Sequence, residues 1–312
     1  MTSLKKRIKK ILPDQFVYIN QCIKIFPKYV CTLVKSCKHM ILDVKFMDNE
    51  TAVDKIIAQG MSLGRFGDGE FMWMAGEKLD SFQEYSEAFA DDLKKDFQST
   101  NDNLLIGIQY GIFDSKECNL YAKMHWKIIA QDFLSRLENY IDFDRIYCNA
   151  SITRPYIDYK RYEFSEKAFI NLKRIWEGRD IVIVEGKKTK LGMGNDLFTN
   201  AMSLKRIICP ATNAYEKIEK IKDSIRKNVS KDVMILGALG PSASILAAQL
   251  STEGYQFIDI GHVDIEYMWY LKKAILREPI EGKFVNESGE KDCSSFYDSD
   301  KEYIESIIDR II

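Results

Sequence analysis

The sequence has no CxxC pair, no long apolar run and almost no net charge, and each absence removes a class of protein. Its seven cysteines (22, 31, 37, 118, 148, 209 and 293) are odd in number and scattered over 312 residues. Zinc-site spacing is therefore missing, and a disulfide framework does not suit a chain of this length. The expectation is reduced, mostly buried thiols and a cytoplasmic setting. Nowhere do the roughly 18 unbroken apolar residues of a membrane-spanning helix occur. The basic start, MTSLKKRIKKILPDQF, lacks both the apolar core and the small-residue cleavage site of a secretory signal. With 45 Lys and Arg against 46 Asp and Glu, the formal net charge of −1 offers no global field for nucleic acid. What remains is ordinary globular usage, 46% hydrophobic and 29% charged. The length allows one large α/β domain or two modest ones.

Residues 1–48 read as a basic amphipathic helical segment, 49–278 as the main domain, and 279–312 as a polar tail ending in a short helix. Apolar side chains in 16–47 mix with Lys24, Lys28, Lys35, Lys38 and Lys45. Such a segment could lie peripherally on an anionic membrane surface, at the inner face of the cell membrane, or pack on the domain. Beyond residue 50, short Ile- and Val-rich runs read as strands: 104–110, 145–150, 180–186, 206–210, 232–239 and 256–262. Helical stretches lie near 119–139, 165–177, 213–228 and 241–252. This alternation implies crossover units and an α/β fold, with a mostly parallel sheet covered by helices on both faces.

Ligands of open parallel sheets sit beyond the carboxyl ends of the strands, and four such exits carry chemistry. In SLGRFGDGEF (62–71), Gly67 permits close backbone approach and Arg65 can fork onto a phosphate, while Asp68 or Glu70 could instead cap the next helix. In VEGKKTKLGMGNDLF (184–198), Lys187 and Lys190 precede Gly192, Gly194 and Asn195 at a helix start, an anion cradle that is neither a P-loop nor GxGxxG. Asn213, in CPATNAY, could cap a helix or bond a base or ribose. In DIGHVDIEYMW (259–269), Asp264 and Glu266 fall on one side of an extended segment. There, together with diphosphate oxygens, they would suit Mn2+ or Mg2+. His262 could serve as ligand, base or donor to phosphate, and a solvated acidic helix start is the plainer alternative for this stretch. Taken together, the four exits describe a site for an anionic nucleotide and a divalent metal.

The strings SLGRFGDGE, KLGMGNDLF, RIICPATNAY, LGALGPSASILAAQL and DIGHVDIEYMW, in this order, resemble the GT-D-type glycosyltransferases over roughly residues 50–275. The resemblance implies a Rossmann-like GT-D fold, a UDP-sugar donor (typically UDP-glucose) and a divalent cation held through a DxE motif. That motif maps onto Asp264 and Glu266; Asp68 and Glu70 share the spelling, so the resemblance equally allows the reversed assignment, or one shared between the two triplets. Arg65, Gly67, Asp68, Lys190, Asn195 and Asn213 map onto the donor site. The acceptor implied is a lipid-linked or protein-linked glycan of bacterial surface polysaccharide or glycoprotein synthesis, with Asp68, Glu70 and His262 as candidate bases. An oxidoreductase or methyltransferase on a Rossmann sheet, or a non-catalytic nucleotide-sugar-binding protein, are the alternatives. Against the first two stands the missing GxGxxG.

Overall fold

Runs of β-branched residues bounded by polar turns become nine parallel strands among the residues that the computed structural model describes, 13–35, 42–79, 81, 83–285 and 297–311. The readings on residues 1–12, Lys38, Cys37 and Cys293, and on the side chain of Lys35, lie outside them. In chain order the strands are β1 (Lys45–Phe46), β2 (Ser62–Phe66), β3 (Leu104–Ile108), β4 (Ile146–Asn149), β5 (Asp180–Gly186), β6 (Ser203–Cys209), β7 (Met234–Ala238), β8 (Phe257–Asp259) and β9 (Ile307–Arg310). They lie side by side as β1-β4-β3-β2-β8-β7-β5-β6-β9. From β2 the chain builds outward through β3 to β4. It then crosses to β5 and returns to the centre at β8, so the two halves meet where β2 lies beside β8. Such a seam, where connections leave in opposite directions, is where a parallel sheet opens a crevice.

Helices cover both faces, because every strand of the sheet's centre is buried on both sides. Alternate residues of β5 show it: Val182 and Val184 join one core cluster, while Ile181 and Ile183 join the other. The first cluster takes α3 (Asp68–Met74), α4 (Glu87–Phe97), α5 (Leu120–Leu137), α7 (Ile218–Asn228) and α8 (Pro241–Thr252). The second takes α2 (Asn49–Gln59), α6 (Tyr162–Lys173) and α9 (Val263–Lys272). Pro241 opens α8 at a position whose N–H needs no partner. The added N-terminal helix, α1 (Asp14–Lys35), packs on α5, burying Val17 and Cys22. There the Tyr18 hydroxyl accepts the Tyr121 N–H at 3.1 Å. No helix among the described residues is long and apolar enough to cross a membrane. The five described cysteines are free, and all but Cys31 are buried.

Four elements differ from their sequence reading. Residues 45–46, read within the N-terminal helical segment, form strand β1 beside β4. Residues 62–66, read only as part of a loop, form the central strand β2. Of the two readings of DIEYMW, extended segment or acidic helix start, the second holds: it is helix α9, with Asp264 and Glu266 in its first turn but buried rather than solvated. The closing EYIESIIDRII, read as one helix, is α10 (Lys301–Ser306) followed by β9, which extends the sheet beside β6.

Candidate active site

A cleft of about 660 Å³ opens over the seam, beyond the carboxyl ends of the central strands. Arg65 fastens its floor. Nε donates to the Asp259 carbonyl (2.9 Å), Nη1 to the Ala150 carbonyl (3.1 Å) and Nη2 to Asp259 Oδ1 (2.8 Å), joining the ends of β2, β4 and β8. Asp259, 2% exposed, also sits 3.0 Å from Ser244 Oγ of α8. Gly261 turns the chain here at φ +45°, and a Cβ in its place would run into the guanidinium. Arg65 lines the cleft as expected. Three of its five N–H groups donate to protein oxygens, which fixes the plane of the guanidinium at the base of the cleft.

The turn after β2 forms a capping arrangement. Glu70, at the third position of α3, reaches back so that its Oε2 accepts the Gly67 N–H at 2.8 Å. Its carboxyl is recessed at the cleft wall. Desolvation, then the nearby Asp68 and Asp259 charges, push its pKa up to about 7. Asp68 is exposed to the cleft. Asn213 also lines it, at a left-handed φ of 53°, and makes no side-chain cap; its Oδ1 accepts the Glu84 N–H at 2.8 Å. His262 lines the cleft at the N-cap of α9.

The basic glycine loop is organised differently from the cradle expected of it. Lys190 is buried, paired with Asp298 and set 4.3 Å over the Tyr303 ring. Lys190, Gly192 and Gly194 take left-handed φ values of 53°, 75° and 73°, which wind the loop tightly. Its inward amides serve carboxylates of the protein: Leu191 N–H donates to Glu185 Oε2 (2.7 Å) and Gly192 N–H to Asp264 Oδ1 (3.0 Å). Asn195 Nδ2 also donates to Asp264 Oδ1 (2.7 Å). Lys187, Lys190, Gly192, Gly194 and Asn195 do not line the cleft; Gly186, Thr189 and Leu191 do.

Asp264 and Glu266 do not act as a pair. Two residues apart on a helix, they project to different sides, whereas an extended segment would align them. Asp264 lines the cleft and holds the 192–195 amides, with the buried Lys283 ammonium on its Oδ2. Glu266, 0% exposed, turns away: Oε2 accepts the N–H groups of Tyr156 (3.1 Å) and Ile157 (2.9 Å), and Oε1 lies 3.5 Å from Arg154 Nε. Burial raises its pKa. Two carboxylates directed apart, one of them against an ammonium, do not fit a shared divalent cation. Among the described residues no three His, Cys, Asp or Glu side chains gather in a metal-holding group. Removing either buried partner of the Asp264–Lys283 pair would cost about 3–5 kcal/mol, so the pair is a structural anchor.

The facing wall was not foreseen. Tyr121, His125 and Trp126 of α5 line it, with Arg154, Asp158 and Arg277 beside them. Tyr121 stacks on His125 at 6.4 Å, and His125 meets Trp126 edge-on at 5.0 Å. Burial lowers the His125 pKa. Such an aromatic shelf with charged groups at its edge suits a sugar ring, one face apolar and the rim polar. The sequence held one signal for it, a helix carrying Tyr, His and Trp within six residues, and no rule pointed that face at the strand exits.

Comparison with known proteins bears on the fold and the family. A family described as "Glycosyltransferase GT-D fold" matches residues 63–288. The chain is 34% identical over 263 residues to a "Probable glycosyl transferase Gly" of Streptococcus gordonii, covering 83% of this chain and 37% of the relative. It is 34% identical over 279 residues to "Glycosyltransferase GlyD" of Streptococcus pneumoniae serotype 4, covering 87% and 33%. The chain thus spans about a third of the length of the curated relatives it matches. Among solved structures, "A New Glycosyltransferase (DUF1792) from Streptococcus sanguinis" superposes with a TM-score of 0.80 at 31% identity, covering 86% of this chain and 100% of that one.

Proposed function

The chain belongs to the GT-D-fold glycosyltransferase family, and from that premise we propose that it moves a hexose, glucose, from a UDP-sugar to a hydroxyl of a glycan acceptor. The product class is a bacterial surface polysaccharide or a glycoprotein glycan. The observation that carries the chemistry is the Glu70 carboxyl, recessed in the cleft with a pKa of about 7. A base with that proton affinity is matched to taking a proton near neutrality. Glu70 removes the acceptor hydroxyl proton as the acceptor oxygen bonds to the sugar's anomeric carbon, and the bond from that carbon to the diphosphate breaks, releasing UDP.

The donor diphosphate lies over the amino end of α8, where Leu239, Gly240 and Pro241 line the cleft. A helix start favours anions through its free N–H groups and dipole. Among the described residues the buried Ser242 hydroxyl in its first turn has no hydrogen-bond partner. Asn213 and Thr189 border the same end of the cleft, and the Tyr121–His125–Trp126 shelf receives the acceptor sugar. A divalent cation would offset charge on the leaving diphosphate. The 264–266 pair does not fit it, and no step here depends on one.

A thermal-shift series tests the reading. UDP and UDP-glucose should raise the melting temperature, with and without Mn2+, because a ligand bound only by the folded state stabilises it by about 2.7 kcal/mol at a hundredfold excess over Kd. A rise with NAD(H) or S-adenosylmethionine and none with any UDP compound would end the proposal.

A further inference from the structure

Helix α1 leaves a large apolar face uncovered. Phe16, Ile19, Ile23, Phe26, Leu33 and Val34 are between 45% and 71% exposed. At the helical period they fall within an arc of about 100°, the width of a face built to be buried. A different arc of the same helix, with Val17 and Cys22, packs on the body. The polar side of the stripe carries Lys24 and Lys28. Continuous exposed apolar surface of this kind marks a contact site.

Charge selects the occupant. Nine of the chain's 45 basic residues and only one of its 46 acidic residues fall within the first 38 positions, five of them in the run 5–10. The remaining residues carry nine more acidic than basic groups. A second copy docked on this face would bring two such basic segments together, whereas an anionic lipid surface is attracted to one. We infer that α1 seats the protein on an anionic lipid surface, its apolar stripe entering the headgroup boundary and Lys24 and Lys28 on the flank of that stripe meeting lipid phosphates. The helix lies on the membrane and does not cross it.

The position of α1 gives the docking a purpose, which rests on the transferase reading above. It packs on α5, whose first turns supply the cleft wall through Tyr121, His125 and Trp126, and Tyr18 bonds the Tyr121 amide itself. Only about one helix diameter, roughly 10 Å, separates the two packed axes. Beside the end of α1, a groove of about 640 Å³ runs between Thr32 and the apolar side chains of Leu42, Phe46, Phe113 and Leu134. A surface held by α1 therefore presents its molecules at the acceptor side of the cleft, and the acceptor class this favours is a glycan carried on a lipid.

Sedimentation with vesicles of phosphatidylglycerol, or of phosphatidylcholine alone, tests the inference on the full chain. Wild type should bind the anionic vesicles, bind neutral ones at least about tenfold less, and be released in about 1 M salt, where screening shortens to a few ångströms. The triple substitution Ile19→Glu, Ile23→Glu, Phe26→Glu should weaken anionic binding at least about tenfold. Because these side chains are exposed, it should keep the wild-type melting temperature and UDP affinity. Equal binding of the variant, equal binding to neutral vesicles, or a wild-type dimer that the variant dissolves while vesicles stay unbound would each overturn it. Loss of UDP binding by the wild type would sink the transferase reading and leave the vesicle result standing.

Discussion

Glu70 is held in a conflict that its neighbours maintain. Folding removes water from the carboxyl and sets Asp68 and Asp259 near it, while the Gly67 N–H offsets only part of that cost. Its folded pKa, about 7, lies above the ordinary 4.5. Between those values the folded chain keeps a proton that the unfolded chain releases, so stability falls as pH rises through this window and stays lowered above it. Glu70→Gln removes the titration and keeps an oxygen for Gly67. It should melt higher than wild type at pH 8 but not at pH 4, and equal shifts at the two pH values would contradict the assignment. Transfer by wild type should climb through about pH 7 and level off, and the variant should lose about 10²–10⁴-fold in kcat. A variant with wild-type turnover would remove Glu70 as the base. The residue was legible in the sequence as a strand-exit acid. Its proton affinity was not, because the burial that chiefly raises it is set by the fold, with a smaller push from Asp68 and from Asp259, which enters from nearly 200 residues further along.

At the scale of elements, the 187–195 loop is held from outside itself. Lys190 is clamped by Asp298 and Tyr303, and Arg206 links Glu185 (2.7 Å) to Ser306 of α10 (3.1 Å). Phe284 N–H also donates to the Lys188 carbonyl at 3.1 Å. The segments after α9 thus set the shape of the loop that borders the donor end of the cleft. Asp298→Ala should raise the KM for the UDP-sugar severalfold with a smaller change in kcat, since misplacing a positioning loop weakens binding geometry. Steady-state kinetics decide it, and an unchanged KM would show that the clamp does not reach the site. Sequence reading found this loop and misassigned its lysine, because a lysine before glycines looks the same whether it faces a phosphate or an aspartate a hundred residues away. The 264–266 reading failed for a related reason. The left-handed turn at Gly261 starts a helix two residues later, and residues buried on all sides carry no clear period to announce it. Strand β2 escaped notice because Gly64 and Arg65 interrupt its apolar run, and β9 because IIDR is too short to separate helix from strand.

For the molecule as a whole, the seam between β2 and β8 decides where chemistry happens. The sequence showed which stretches become strands; it could not show that Leu63 would sit beside Ile258. Arg65 and Gly261 maintain that junction together. Gly261→Ala forces a side chain into a left-handed backbone position and displaces the guanidinium, so it should cost about 2–4 kcal/mol and weaken UDP binding at the same time. Calorimetry and a UDP titration on one variant read both effects; an unchanged melting temperature would mean the seam does not depend on this contact. The borders of the same sheet matter in another way. One is a strand of two residues and the other a strand of four, drawn from near opposite ends of the described chain. Stubby margins give a foreign strand little backbone to zip onto, whereas β6, seven residues long, would be an inviting template without β9 beside it. The closing segment that shapes the donor loop therefore also guards the protein against clumping with its own kind.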